Sequence, residues 1–162
     1  TSSPQHIILK DWLHDFADEF TRSGNCTADR IAISVDPADL EAYMDPSQLH
    51  QVVWNLCQNA VHHGESDLPV SIRLEATHSV TSGVPQLDIL DNGRGIQAEM
   101  ADKIFEPFFT TRSSGTGLGL YIAREICESN QARLSYHEAP GGGSCFRIAF
   151  PINRASAISS FA

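Results

Sequence analysis

Basic residues are scarce in this chain. Lys and Arg together number 11 against 20 Asp and Glu, which gives a formal net charge of -9. A protein that binds a nucleic-acid backbone carries a clustered basic surface. We therefore expect no nucleic-acid partner, and an anionic ligand would have to be held by local groups such as backbone N–H donors.

Long apolar runs are also missing. No stretch approaches the roughly 18 residues that a membrane-spanning helix needs, and the chain does not open on a basic and then apolar signal segment. We expect no direct membrane contact and a cytoplasmic location, with the possibility that a larger parent protein is anchored in a membrane.

Cysteine and histidine offer no metal-binding spacing. Four scattered cysteines show no Cys-x-x-Cys pattern, which argues against a zinc site or a disulfide framework. Adjacent helical residues such as His62 and His63 point about 100° apart, so they cannot act as a pair of metal ligands on one helix face.

What the chain does contain is sufficient for one compact domain, with 162 residues of which 41% are hydrophobic. Apolar periodicity predicts strands at 7–9, 31–35, 40–44, 70–76, 86–90, 132–137 and 145–150. It predicts helices at 12–20, 46–63, 97–104 and 118–129. This order lacks a regular βαβ alternation and predicts an α/β (α+β) two-layer sandwich, with a mixed sheet and helices on one face. The domain should span residues 1–152, followed by a frayed tail at 153–162.

The long second helix carries the first candidate site. Asp45 followed by Pro46 is a typical helix start. Asn55 and Asn59 stand four residues apart and so share one helical face, where their amide oxygens can bind a hard cation or its waters. Alternatively, the two amides are simply solvated.

A second candidate follows the strand predicted at 86–90, in the segment from Asp91 to Ile96. A carboxylate at a strand end can accept a hydrogen bond from an exocyclic amine such as that of adenine. Gly93 and Gly95 permit positive φ and a close backbone approach. An ordinary turn is the alternative, because Asp-Asn-Gly is common turn chemistry.

Two further segments complete the set. Ile104 to Arg112 places three phenylalanines beside two threonines and a cation, and these rings should anchor a loop to the domain. Gly115 to Leu120 brings glycines to the start of a helix, where backbone N–H groups and the helix dipole favour phosphate. This glycine-rich segment is neither a P-loop nor a dinucleotide fingerprint.

Together these four segments resemble the N, G1, F and G2 boxes of sensor histidine kinases, over about residues 45 to 151. The resemblance implies the Bergerat fold shared by gyrase, the Hsp90 chaperones, MutL and histidine kinases. It also implies that ATP lies between the N-box helix and a mobile lid spanning about Gln97 to Gly115. The short lid is most similar to that of nitrogen-regulatory or pilus-type kinases.

The resemblance also implies roles for individual residues. Asn55 and Asn59 would be the catalytic pair, with Asn59 as the Mg²⁺ ligand, and Asp91 would select adenine. The implied nucleotide-binding set is Asn59, His62, His63, Asp91, Gly93, Gly95, Ile96, Phe105, Phe109, Arg112, Gly115, Thr116, Gly117, Leu118, Gly119, Leu120 and Ser144. His62 and His63 depart from the family, which often has a basic residue at the first of these positions and an aromatic residue at the second.

The function implied by the resemblance is that of a protein-histidine kinase in two-component signalling. The chain would bind Mg-ATP and donate the γ-phosphoryl group to a histidine on an upstream dimerisation domain, in a pathway that ends at a cognate response regulator. No His-Glu/Asp acceptor box is found here, and His14 belongs to the domain's own first helix. The isolated chain should therefore be monomeric and inactive in autophosphorylation, whereas the full-length kinase should be dimeric.

Three alternatives remain: an ATPase of the same superfamily, an anti-sigma serine kinase and a degenerate nucleotide-sensing module. The first two resemble each other in having a Glu four residues before the metal-binding Asn. Here that position is Asn55, and an amide cannot act as a general base. The histidine-kinase branch is therefore favoured.

Overall fold

The computed structural model describes residues 2–62, 69–109 and 118–152. The strands are β1 Gln5–Ile8, β2 Ile31–Val35, β3 Glu41–Met44, β4 Ile72–His78, β5 Pro85–Asp91, β6 Arg133–Glu138 and β7 Ser144–Ala149. The helices are α1 Leu9–Arg22, α2 Pro46–His62 and α3 Gly119–Ser129, with short 3-10 helices at Ala28–Arg30 and Ala98–Met100. The predicted elements are confirmed within a few residues, except at 97–104.

The main sheet has five strands in the order β2-β4-β5-β7-β6. β2 runs parallel to β4 and the other neighbours are antiparallel, so the mixed sheet that the sequence predicts is confirmed. β1 and β3 form a separate antiparallel pair. Alternate residues of β4, Ile72, Leu74 and Ala76, are fully buried in the core that the helices share. The structure is thus an α+β sandwich.

Helix α1 begins at Leu9, three residues before the predicted start, and β1 accordingly ends at Ile8, one residue before the predicted end. Leu9 is fully buried and its N–H donates to the carbonyl of Leu40 at 3.1 Å, which ties the first turn to the core. Along the helix, Phe16 stacks on Phe20 with ring centroids 5.8 Å apart, and Trp54 of α2 meets Phe20 edge-on at 4.9 Å. These rings fasten α1 to α2.

Asp45 caps α2 as the sequence predicts. Its Oδ1 accepts the N–H of Ser47 at 2.9 Å and that of Gln48 at 3.1 Å, and its Oδ2 accepts the N–H of Ser3 at 2.7 Å. The N–H of Asp45 donates to Oδ1 of Asn130, which is buried after the end of α3. Asp45 therefore links three parts of the fold: its carboxylate holds the N-terminal segment and the first turn of α2, and its backbone N–H bonds to Asn130 at the end of α3.

Loss of this cap should lower stability most at neutral pH. Accepted hydrogen bonds, first from Ser3 and then from Gln48 and Ser47, hold the pKa of Asp45 below its ordinary value. A lowered folded-state pKa stabilises the protein above the unfolded pKa of about 4, and this stabilisation is lost as the pH falls through the folded value. Urea unfolding of Asp45→Ala should therefore show a lower midpoint at pH 7, and a gap to wild type that narrows below about pH 4. The exposed Asp39→Ala is the control, and a gap independent of pH would contradict the prediction.

The predicted helix at 97–104 is wrong. Ala98–Met100 forms a 3-10 turn, and the chain continues as turns whose N–H groups bond to carbonyls three residues earlier. Only Ile104 of residues 97–104 is buried. A short α-helix is stabilised mainly by packing of its apolar face, and one buried side chain gives this segment little such packing.

Candidate functional site

Asp91 ends β5, and its carboxylate organises the loop that follows. Oδ1 accepts the backbone N–H of Gly93 at 2.9 Å and that of Ser144 at 3.2 Å. The first bond closes a turn of the loop, and the second joins it to the start of the neighbouring strand β7. Ser144, expected near the base, is buried and lies against Asp91 through this backbone bond.

The backbone approaches very closely around Asp91. Gly143 has φ +92°, and a Cβ there would lie 2.1 Å from the Asp91 carbonyl oxygen, so no side chain fits at this position. Gly95 has φ +77°, as the sequence predicts, and a Cβ there would be 3.1 Å from the Gly143 oxygen. Gly93 contributes its backbone N–H, which donates to Oδ1 of Asp91 and closes the turn.

Helix α2 presents the two asparagines of the first motif. Asn55 and Asn59 are both half-buried on one face, and α2 packs against β5 and α3. Within residues 2–62, 69–109 and 118–152, neither side-chain amide makes a hydrogen bond. Both amide oxygens are therefore available to a ligand. His62 is the exposed last residue of α2.

The phenylalanines divide into two groups. Phe105 is buried at 8% exposure, and Phe109 is half-buried and packs on the core. Phe108, expected as an anchor, is 73% exposed with φ +67°, so this expectation is wrong. The ring of Phe105 lies edge-on to Phe146 at 6.2 Å, and the Arg124 guanidinium lies over the Phe105 ring, 5.3 Å from its centroid. Phe105 thus helps to hold this segment on the core.

At the start of α3, Leu118 and Leu120 are half-buried and Gly119 is exposed. The first turn of α3 carries no acidic side chain, so no carboxylate competes there for the partial positive charge of the helix end. The remaining predicted ligands, His63, Arg112, Gly115, Thr116 and Gly117, lie outside the described residues, as does the tail 153–162.

Sequence reasoning missed two residues that shape this loop. Asn92 accepts the N–H of Ser71 at 2.9 Å and donates to the carbonyl of Pro69 at 3.1 Å, which ties the loop to the segment before β4. The hydroxyl of Tyr136 accepts the N–H of Ile96 at 2.8 Å. Asn92 lay inside a recognised motif, whereas no local pattern marked Tyr136, which lies 40 residues after Ile96.

Comparison with known proteins assigns the domain. Residues 44–154 match the family model described as Histidine kinase-, DNA gyrase B-, and HSP90-like ATPase. The chain belongs to this ATPase family. That assignment agrees with the order of the four motifs and with the sheet and helix arrangement described above.

Similar members of the family are sensor kinases. The chain is 42% identical to the sensor protein kinase PilS of Pseudomonas aeruginosa over 92% of its length, and 32% identical to the sensor histidine kinase ZraS of Klebsiella oxytoca over 76%. It spans only 28% and 26% of those two proteins. A solved structure of the catalytic domain of histidine kinase ThkA, in a nucleotide-free form, matches with a TM-score of 0.75 and 27% identity, covering 92% of this chain and 95% of that one.

Two cysteines of this ATPase domain have raised pKa values. Burial raises the pKa of the Cys127 thiol and that of the Cys145 thiol to about 12 in each case, so both are protonated and unreactive at neutral pH.

None of the helices that the structure describes is long and apolar enough to cross a bilayer.

Proposed function

We propose that this chain is the Mg-ATP-binding catalytic domain of a sensor histidine kinase and that it donates the γ-phosphoryl group of ATP to a histidine on an upstream dimerisation domain. The observation that carries this proposal is the loop around Asp91, in which a strand-end carboxylate is held by the backbone N–H groups of Gly93 and Ser144. A negative acceptor held in this way is suited to an exocyclic amine.

The base end of the site is assigned to this loop. The Asp91 carboxylate would accept from the adenine amine, and Gly95 and Ile96 would form the adjoining wall of the pocket. Guanine presents a carbonyl acceptor at that position, so a carboxylate would disfavour it. The buried Ser144 would place its hydroxyl beside the base.

The metal end is assigned to α2. Mg²⁺ prefers oxygen ligands and retains several waters, and the unbonded, half-buried amides of Asn55 and Asn59 fit that requirement. Asn59 would bind the ion directly and Asn55 would support it through a water. When bound, the ion neutralises charge that develops on the transferring phosphoryl group.

The phosphate end is assigned to the start of α3 and the glycines before it. The N–H groups of Gly115, Gly117 and Gly119 and the dipole of α3 would hold the phosphates, together with Arg112 and Thr116. Leu118 and Leu120 would anchor this turn to the domain. His62 and His63 would lie near the phosphates and the base, and Phe105 and Phe109 would fasten the lid.

Kinase activity is favoured over hydrolysis because of Asn55. A water-activating residue would need to accept a proton, and an amide cannot do so. During transfer, a bond forms between phosphorus and an imidazole nitrogen while the bond to the ADP oxygen breaks. This chain positions the phosphoryl group, and the acceptor domain supplies both the nucleophile and the group that takes its proton.

Because the nucleophile lies on another domain, the proposed function requires partners. The relatives are longer sensor kinases, which supports an upstream dimerisation and phosphotransfer domain, a dimeric parent and a cognate response regulator. A cytoplasmic position is proposed because ATP is the phosphoryl donor. The isolated domain, residues 1–152, is expected to be monomeric.

A labelling assay tests the proposal. The isolated chain with radiolabelled Mg-ATP should acquire no label and release little phosphate. Adding the upstream dimerisation domain of the parent protein, in cis or in trans, should produce label on that domain. The label should be lost in acid, since phosphohistidine is acid-labile and phosphoserine is not.

Three other outcomes would contradict the proposal. Acid-stable label on the isolated chain would indicate a serine kinase, and rapid phosphate release without a partner would indicate an ATPase. Nucleotide binding with no transfer to any added domain would favour the nucleotide-sensing alternative.

A further inference from the structure

Tyr136 reaches from the edge strand β6 to the loop that ends in Gly95 and Ile96. Its hydroxyl oxygen accepts the Ile96 N–H at 2.8 Å. The same oxygen would be 3.5 Å from a Cβ at Gly95, the residue with φ +77°. The hydroxyl therefore lies against the backbone at the left-handed turn of the loop.

The tyrosine ring is itself held by the core. It lies edge-on to Phe146 with centroids 5.4 Å apart, and Phe146 is only 1% exposed. Phe146 in turn lies edge-on to Phe105, with ring centroids 6.2 Å apart. Because the ring packs against Phe146, the hydroxyl has a defined position from which to accept the Ile96 N–H.

Side chains hold the loop at different points. Asn92 ties its start to the segment before β4, and Asp91 holds Gly93 in the middle. Among the described side chains, that of Tyr136 bonds to the backbone of Ile96. Without the hydroxyl, the Ile96 N–H would lose this acceptor, which helps to keep Gly95 and Ile96 in one arrangement.

We propose that Tyr136 is a positioning residue for the nucleotide base: it holds the Gly95–Ile96 wall in its binding conformation without touching the ligand. This inference rests on the proposed function, in which the base binds beside Asp91. A wall that is already ordered does not have to be ordered when the ligand binds, so affinity is higher. Loss of the Tyr136 hydroxyl should weaken binding of the base, so the affinities for ATP and ADP should fall by the same factor, since both carry adenine.

Tyr136→Phe tests this directly because it removes the hydroxyl and keeps the ring that packs on Phe146. Titration calorimetry of the full chain with Mg-ADP and Mg-ATP should show Kd raised about 3- to 10-fold for both nucleotides, the range expected when one hydrogen bond is lost. With the acceptor domain added, KM for ATP should rise by a similar factor while kcat stays within about 2-fold. Hydrogen exchange of the Ile96 amide in the free protein should become faster.

Tyr43→Phe is the matched control. Tyr43 lies in β3 of the separate two-stranded sheet, with its ring beside His6 at 5.0 Å. It should bind both nucleotides as wild type does. Urea unfolding of both variants establishes that each is folded at the temperature of the titration.

The outcomes separate this inference from the proposed function. If wild type binds neither nucleotide, the proposed function fails and the inference fails with it. If wild type binds and Asp91→Asn weakens binding while Tyr136→Phe does not, only the role of Tyr136 is overturned. An equal loss in Tyr43→Phe, or a loss for ATP without one for ADP, would also overturn it.

Discussion

Asn59→Ala should abolish phosphoryl transfer to the acceptor domain, with a loss of at least about 100-fold, because the metal contributes several kcal/mol of charge stabilisation in such reactions. The proposed metal ligand is an amide oxygen on α2, and alanine retains the helix while removing that oxygen. The measurement is the initial rate of radiolabel transfer at saturating ATP, with the dimerisation domain supplied.

Gln58→Ala is a suitable control for this experiment. Gln58 is also a half-buried amide on α2, but it is adjacent to Asn59 and so points about 100° away from it. Its replacement should leave the rate of transfer nearly unchanged. Asn55→Ala should give a smaller loss than Asn59→Ala, since Asn55 acts through a water. Transfer by Asn59→Ala at the wild-type rate would remove Asn59 from the metal site.

Local patterns were sufficient for most of the fold. The alternation in β2 and β4 and the Asp45-Pro46 start of α2 each depend on residues close in sequence, and the structure confirms them. The prediction failed where packing decides the structure: the 97–104 segment has a plausible helical composition, but Ile104 is its one buried residue. The separate pairing of β1 with β3 could not be predicted, because strand pairing is a non-local property.

The same distinction applies to the site. The carboxylate at 91 and the paired asparagines could be identified because spacing along one strand or helix places them. The bonds from Asn130 to the start of α2 and from Tyr136 to Ile96 join residues 85 and 40 positions apart. A single sequence carries no local signal for such contacts, since a polar residue that makes a long-range hydrogen bond has the same local pattern as one that faces solvent.

Asp91→Asn should weaken ATP binding by about 1.5 to 3 kcal/mol, or about 10- to 150-fold in Kd, the range for a hydrogen bond to a charged group. The substitution is well matched to the structure. The amide oxygen of asparagine can continue to accept the N–H groups of Gly93 and Ser144, so the loop should keep its shape. What changes is the second oxygen, which becomes an NH₂ donor, and the negative charge, which is lost.

The change should also alter selectivity. A donor at this position repels the adenine amine but can bond to the carbonyl of guanine, so the preference for ATP over GTP should narrow in Asp91→Asn. Thermal-shift titrations with ATP, ADP and GTP measure both effects, because a ligand that binds only the folded state raises its stability by mass action. Asp39→Asn, an exposed carboxylate between β2 and β3, makes the same charge change and should leave all three titrations unaltered. If Asp91→Asn binds ATP as tightly as wild type, the base does not bind at this loop, since no other consequence of the substitution would compensate for the lost acceptor.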